Sequence, residues 1–92
     1  MKMYVCSVFD RKIGAFMIPQ FFRSKGEATR AFMDACNGEQ AQLRKHAEDF
    51  VFMFLGYWED GDGRFERPPG EGGVSEILMS AMDCVSIDSG VN

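Results

Sequence analysis

Apolar residues in this chain fall into runs whose spacing separates strands from helices. Phe50-Val51-Phe52-Met53-Phe54-Leu55-Gly56-Tyr57-Trp58 carries no charge. As a strand it points Phe50, Phe52, Phe54 and Trp58 one way and Val51, Met53, Leu55 and Tyr57 the other, so both faces are apolar. Such a strand needs cover on both sides, from its own helices or from a second copy of the chain. Residues 2–9 alternate similarly, with Met3, Val5 and Phe9 opposite Tyr4, Cys6 and Val8, and are expected beside it. Turn chemistry at Asp10-Arg11-Lys12-Ile13-Gly14 leads to a strand over residues 15–22. That strand belongs at a sheet edge, because Pro19 has no N–H to give a neighbour.

Ser24-Lys25-Gly26-Glu27 has the form of a capping box, which opens a helix. Ala28, Ala31, Phe32, Ala35 and Cys36 then make one apolar stripe, and Asn37-Gly38 supplies the stop. Residues 39–46 are polar around Ala41 and Leu43 and predict a short exposed helical turn. After the aromatic strand, Glu59-Asp60-Gly61-Asp62-Gly63 reads as a turn and residues 64–67 as a returning strand, giving a hairpin. Residues 68–73, rich in Pro and Gly, read as a linker. Val74, Ile77, Leu78, Ala81 and Met82 recur at helical spacing and predict a second helix near 74–82, covering the other sheet face or packing across a dimer. A last short strand at 84–87 and a frayed tail at 88–92 complete the reading. The fold class expected is α+β: one domain with a mainly antiparallel sheet of three to four strands, one main helix and a second C-terminal helix.

The 92 residues suffice for one small core, whose stability an oligomer would raise. No apolar run approaches the roughly 18 residues of a membrane span, and the first residues lack the pattern of an export signal. Cys6, Cys36 and Cys84 lie among apolar neighbours without paired spacing, and read as reduced core residues of a cytoplasmic protein. The net charge of −4 conceals an asymmetry: residues 1–46 hold eight basic against four acidic side chains, and residues 47–92 hold two against ten.

Enzymatic chemistry finds little support. Asp60-Gly61-Asp62-Gly63 resembles the opening of a calcium loop, but Arg64 and Phe65 then stand where a ligand and a glycine are required. One His and three scattered Cys offer no zinc spacing, and His46 lies in a polar segment with no nucleophile beside it. No catalytic residue, metal or cofactor is therefore expected. The candidate ligand surface is cationic: Arg11, Lys12, Arg23, Lys25 and Arg30 are expected to converge on one edge with Phe21 and Phe22 nearby. Single-stranded nucleic acid is held by such a mixture, cations on phosphates and rings against bases. The alternative is a homodimeric protein-interaction module that engages a host or capsid protein through the two-sided aromatic strand and the acidic second half.

Three segments in order, Tyr4-Val5-Cys6-Ser7-Val8-Phe9-Asp10, the stretch from Phe21 through Ala28-Thr29-Arg30-Ala31-Phe32, and His46-Ala47-Glu48-Asp49-Phe50 leading to Leu55-Gly56-Tyr57-Trp58-Glu59-Asp60, resemble the small nonstructural protein of gokushoviruses. These are Microviridae, phages with single-stranded DNA genomes. The resemblance covers residues 1–67, with Ala47 where the family often has proline and Asp60-Gly61-Asp62-Gly63 in place of a threonine–glycine ending. It implies a nonenzymatic phage protein of the host bacterial cytoplasm, labelled DNA-binding and supposed to act in single-stranded DNA synthesis or packaging.

Overall fold

The computed structural model describes residues 1–38 and 41–90. Along the chain its elements are β1 (Lys2–Asp10), β2 (Ala15–Phe16), β3 (Gln20–Phe22), α1 (Lys25–Asn37), α2 (Ala41–Lys45), β4 (Phe50–Glu59), β5 (Arg64–Glu66), β6 (Glu76–Ser80) and α3 (Ala81–Gly90). The two runs that are apolar on both faces pair with each other, β1 antiparallel to β4, as the centre of the sheet. β2 and β3 share the outer edge of β1, and β5 and β6 share the outer edge of β4. The sheet thus has six strands, not three or four, because Pro19 divides one edge into two pieces and the segment from Pro68 to Gly73 separates the two pieces of the other. Residues 15–22 do lie at an edge, as the missing proline N–H requires.

Register departs from simple alternation at two points, once between β1 and β4 and once between β4 and β6, where Leu78 is the extra residue. Val5 is opposite Gly56 while Cys6 is opposite Phe54, so Leu55 is an extra residue, a β-bulge. Gly56 has φ +142, and a Cβ there would run into the backbone carbonyl of Glu66. The bulge exchanges the faces of everything after it. Tyr57, expected beside Val51 and Met53, instead meets Phe54 and Tyr4 at centroid distances of 5.2 and 5.1 Å. Trp58, expected beside Phe52 and Phe54, emerges on the opposite face against Phe21 at 5.3 Å.

The core lies on the Phe54 face. The Ser24 hydroxyl accepts from the Glu27 N–H at 3.0 Å, while the Glu27 carboxylate accepts from the Arg23 N–H at 3.2 Å, one residue earlier than a strict box. α1 ends at Asn37, where Gly38 donates its N–H to the Ala35 carbonyl. Its stripe delivers Phe32 face to face onto Phe52 at 4.7 Å, with Phe22 edge-on to the same ring at 6.3 Å. The short helical turn expected at 39–46 appears as α2, with Glu39 and Gln40 outside the described residues.

The C-terminal segment differs from expectation. Residues 76–80 form a strand because β4 presents an unpaired edge there, and backbone pairing along that edge outweighs the helical spacing of Val74, Ile77 and Leu78. The helix begins instead at Ala81. Ser80 and Asp83 cap it: the Ser80 hydroxyl accepts from the Met82 N–H and the Asp83 carboxylate from the Ser80 N–H. α3 packs on α1, α2 and β4 through Ala81 and Cys84, on the face α1 already covers, and does not reach the other one. Residues 84–87 are helical rather than a strand, and the helix runs on through Gly90, where a frayed tail was expected; Val91 and Asn92 lie outside the described residues. Among the described residues, no helix is long and apolar enough to cross a membrane.

All three cysteines are free and buried. Burial pushes the Cys6 thiol up to about 11, and burial together with a hydrogen bond to Cys84 pushes Cys36 up to about 12. Unfolded thiols ionise near their ordinary value of 9.0, so between there and the raised native values the unfolded state loses protons that the native state keeps. Stability measured by urea unfolding should therefore be unaffected by these groups below pH ~9 and fall as pH rises toward ~12. At neutral pH an aromatic disulfide reagent should label none of the three in the folded protein and all three in denaturant. Gly56→Ala should cost at least about 2 kcal/mol in the same unfolding measurement, since both the left-handed backbone and the Glu66 contact oppose a Cβ.

Candidate nucleic-acid interface

The seven residues expected to form one cationic edge are divided along the sheet. β3 sets Phe22 opposite Tyr4 and Phe21 opposite Val5, which places Arg23 and Lys25 toward the start of β1. Arg11 and Lys12 follow its last residue, Asp10. Six residue steps along β1 separate Tyr4 from Asp10, roughly 20 Å at the usual rise. Arg30 is exposed on α1.

At the first end the cations already have carboxylate partners. Arg23 pairs with Glu27 at 3.6 Å, and Lys25 pairs with Glu76 at 3.0 Å with its ammonium 4.9 Å from the Phe54 ring centroid. Donating to the Glu76 carboxylate raises the Lys25 pKa. The acidic hairpin lies at this end too, since β1 sets Lys2 opposite Glu59. Its acids are largely met locally: the N-terminal ammonium binds Glu59 at 2.9 Å and Asp60 at 2.6 Å, Lys2 binds Glu66, and Arg64 binds Asp62. The ammonium's hydrogen bond, then the Gly61 N–H, hold the Glu59 carboxyl below its usual range. Of the two rings, Phe22 is only 8% exposed and belongs to the core, so stacking on it is ruled out.

At the far end the cations stand free. Gly14, at φ +70, closes the β1–β2 turn by donating to the Asp10 carbonyl at 2.8 Å, and the Asp10 carboxylate accepts the Lys12 N–H at 2.9 Å. The Arg11 N–H reaches the Asp49 carbonyl at 2.8 Å, tying this turn to the segment that follows Lys45. Arg11 and Lys12 are exposed, and among the described residues neither makes an ion pair. Beside them Phe16 is 45% exposed, its ring 4.8 Å from that of Phe9. Phe16 and Lys45 were not among the expected ligand residues. Strand pairing brings Phe16 back beside the turn, and the pairing of Asp10 with Phe50 together with the Arg11 contact brings the segment after α2 there.

Two further features emerge. His46, Glu48 and Asp49 bring one ligand atom each within 4.8 Å of one another in a turn at this same end, a grouping that Cys and His spacing does not disclose. By itself, a trio of surface side chains assigns no metal. Between α1 and the gap separating β2 from β3 runs an apolar groove of about 790 Å³, lined by Cys6, Met17, Phe22, Ala31, Phe52 and others. There the Ser7 hydroxyl is spent on the Met17 carbonyl at 2.6 Å. Gln20 and Asp34 also line the groove.

The sheet face away from the helices carries Met3, Val5, Ser7 and Phe9 from β1, Phe16 and Phe21 from the β1 edge, and Val51, Met53, Leu55, Trp58, Phe65 and Ile77 from the β4 side. None of these is charged, although Arg67 lines a hollow beside Val5, Leu55 and Phe65, and Ser80 lies opposite Val51. Phe21 is 42%, Phe65 66% and Ile77 59% exposed. The bulge at Leu55 creates the aromatic group Phe21–Trp58–Phe65 on this face, which strict alternation along β4 would have dispersed.

A model of the phage ORF5 protein family matches residues 3–84. The match runs past the 1–67 of the gokushovirus resemblance, through β6 and into α3. No curated protein and no solved structure matches the chain.

The split between paired and free cations is measurable. Under limiting acetic anhydride, Lys12 should be modified faster than Lys25, whose amine is held protonated by Glu76, and Glu76→Gln should bring the Lys25 rate toward that of Lys12 in peptide mass spectra.

Proposed function

From the premise that the chain belongs to the phage ORF5 protein family, we propose that it is a nonenzymatic accessory protein of a gokushovirus-type phage that binds single-stranded DNA during genome replication or packaging in the host cytoplasm. The observation that carries this reading is the β1–β2 turn. Two exposed cations without carboxylate partners sit there beside a half-exposed ring. Arg11 and Lys12 neutralise phosphates while Phe16 takes a base against its face, the combination by which single strands are held without sequence preference. Arg23 and Lys25 contribute less, because DNA must compete with Glu27 and Glu76 for them. Arg30 extends the cationic track along α1, and Phe21 lies outside it on the open sheet face.

A second reading, a homodimeric module engaging a host or capsid protein, draws on the largely apolar sheet face. The two readings share that face only at its Phe16 end.

Fluorescence anisotropy of a labelled single-stranded oligonucleotide across a salt series, with duplex of equal length beside it, tests the DNA reading. Binding should prefer the single strand and weaken with salt. The double variant Arg11→Ala/Lys12→Ala should lower the slope of log affinity against log salt by about 0.7 for each phosphate that is no longer neutralised. The Arg23→Ala/Lys25→Ala pair should change it less. Absence of binding at low salt, or unchanged affinity in the first double variant, overturns the assignment.

A further inference from the structure

We infer that the helix-free sheet face is an interface for a second copy of this chain, centred on Phe21, Trp58, Phe65, Met3, Leu55 and Met53. All three helices serve the other face, so no described helix of the chain covers this one. Phe21, Phe65 and Ile77 are 42%, 66% and 59% exposed, and Met3, Met53, Leu55 and Trp58 are partly exposed. With large side chains burying about 150–250 Å² each, these fractions leave on the order of 500 Å² of apolar surface in water. A standard interface takes about 800 Å² from each partner, and in homodimers about 65% of that is apolar, so the patch is the size a stable dimer needs.

Chemistry chooses the occupant. A partner of different sequence is ordinarily addressed by charged or hydrogen-bonding groups set against its own, and this face offers few: Ser7 is buried and already bonded to Met17, and the charge beside it is Arg67, which lines a hollow with Val5, Leu55 and Phe65. A surface so largely apolar is self-compatible under a two-fold axis, where the same patch must meet its own copy. Two such sheets stack about 10 Å apart with their side chains interleaved, a β-sandwich built from two chains. Phe9 and Phe16 lie at the far end of the face, beside Arg11 and Lys12, outside the centre of this contact. The inference therefore stands apart from the DNA reading, and either can fail alone.

Trp58 is the chain's one tryptophan and lies in the proposed contact, so the wild-type protein reports on itself. Sedimentation at micromolar concentration should give twice the 10.4 kDa chain mass, and on dilution Trp58 emission should shift to the red over the range in which the mass halves. Phe65→Glu combined with Ile77→Glu places charge at positions already exposed in the single chain, and should yield a folded monomer by circular dichroism. A wild-type monomer at 100-fold higher concentration overturns the inference. So does a mass change without a Trp58 shift, or a folded double variant that stays dimeric. Should the double variant not fold, the wild-type dilution series decides alone.

Discussion

Everything in this molecule depends on the antiparallel pairing of two strands that are both apolar on both sides. A chain of this length can build one good core, and it does so by sending its helices to a single face of the β1–β4 pair. Phe32 stacked on Phe52, Leu43 and the three cysteines fill that side. The other side keeps Val5 and Val51 buried only because larger neighbours flank them within the sheet, and those neighbours remain open to water. One two-sided strand pair therefore yields a protein with an interior and with a second, exposed apolar surface of nearly core-like composition. Its edges are protected differently: each is covered by two short strands, which leaves little free backbone for pairing with another chain.

What was legible in the sequence was local. The Ser24–Glu27 cap, the stop at Gly38, the turn after Asp10, the hairpin at Glu59–Gly63 and the edge position of the Pro19 segment each follow from a few neighbouring residues, and each is present. What failed depended on partners distant in sequence. Val74, Ile77 and Leu78 have helical spacing, but the unpaired edge of β4 imposes a strand and moves the start of the helix to Ala81, where Ser80 and Asp83 form the cap. Gly56 offered a hint, since a glycine inside an apolar strand often marks a bulge. The consequence, that Tyr57 and Trp58 exchange faces, follows only from the register against Val5 and Cys6.

Charge was misleading for the same reason. The basic first half and acidic second half are separate in sequence, yet β1 against β4 lays the amino terminus along the acidic hairpin, and β6 brings Glu76 to Lys25. Halves that look opposite thus neutralise one another across strands. Exposed pairs of this kind add little stability, so their main effect is on which cations stay available to a ligand. Arg11 and Lys12 escape because the turn that carries them projects from the opposite end of the sheet. A candidate site chosen by counting charges along the chain spreads over the whole molecule; asking which cations have carboxylate partners removes Lys2, Arg23, Lys25 and Arg64 and leaves the turn, beside the ring of Phe16, as a place where two adjacent cations stay available.

A site of two cations and one ring is small for a protein whose net charge is −4, since the chain as a whole repels the strand that the turn attracts. Duplication changes the balance. If the open sheet face joins two copies, the dimer carries two such turns at fixed separation, and a strand bound at one is presented to the other at a high effective concentration. Two weak contacts then act as one stronger one, provided the strand spans the gap. Affinity would rise steeply with oligonucleotide length up to that span and little beyond it, whereas a single turn on a monomer would gain almost nothing from added nucleotides. The apolar face and the cationic turn are in that case parts of one device, with the first setting the distance over which the second can work.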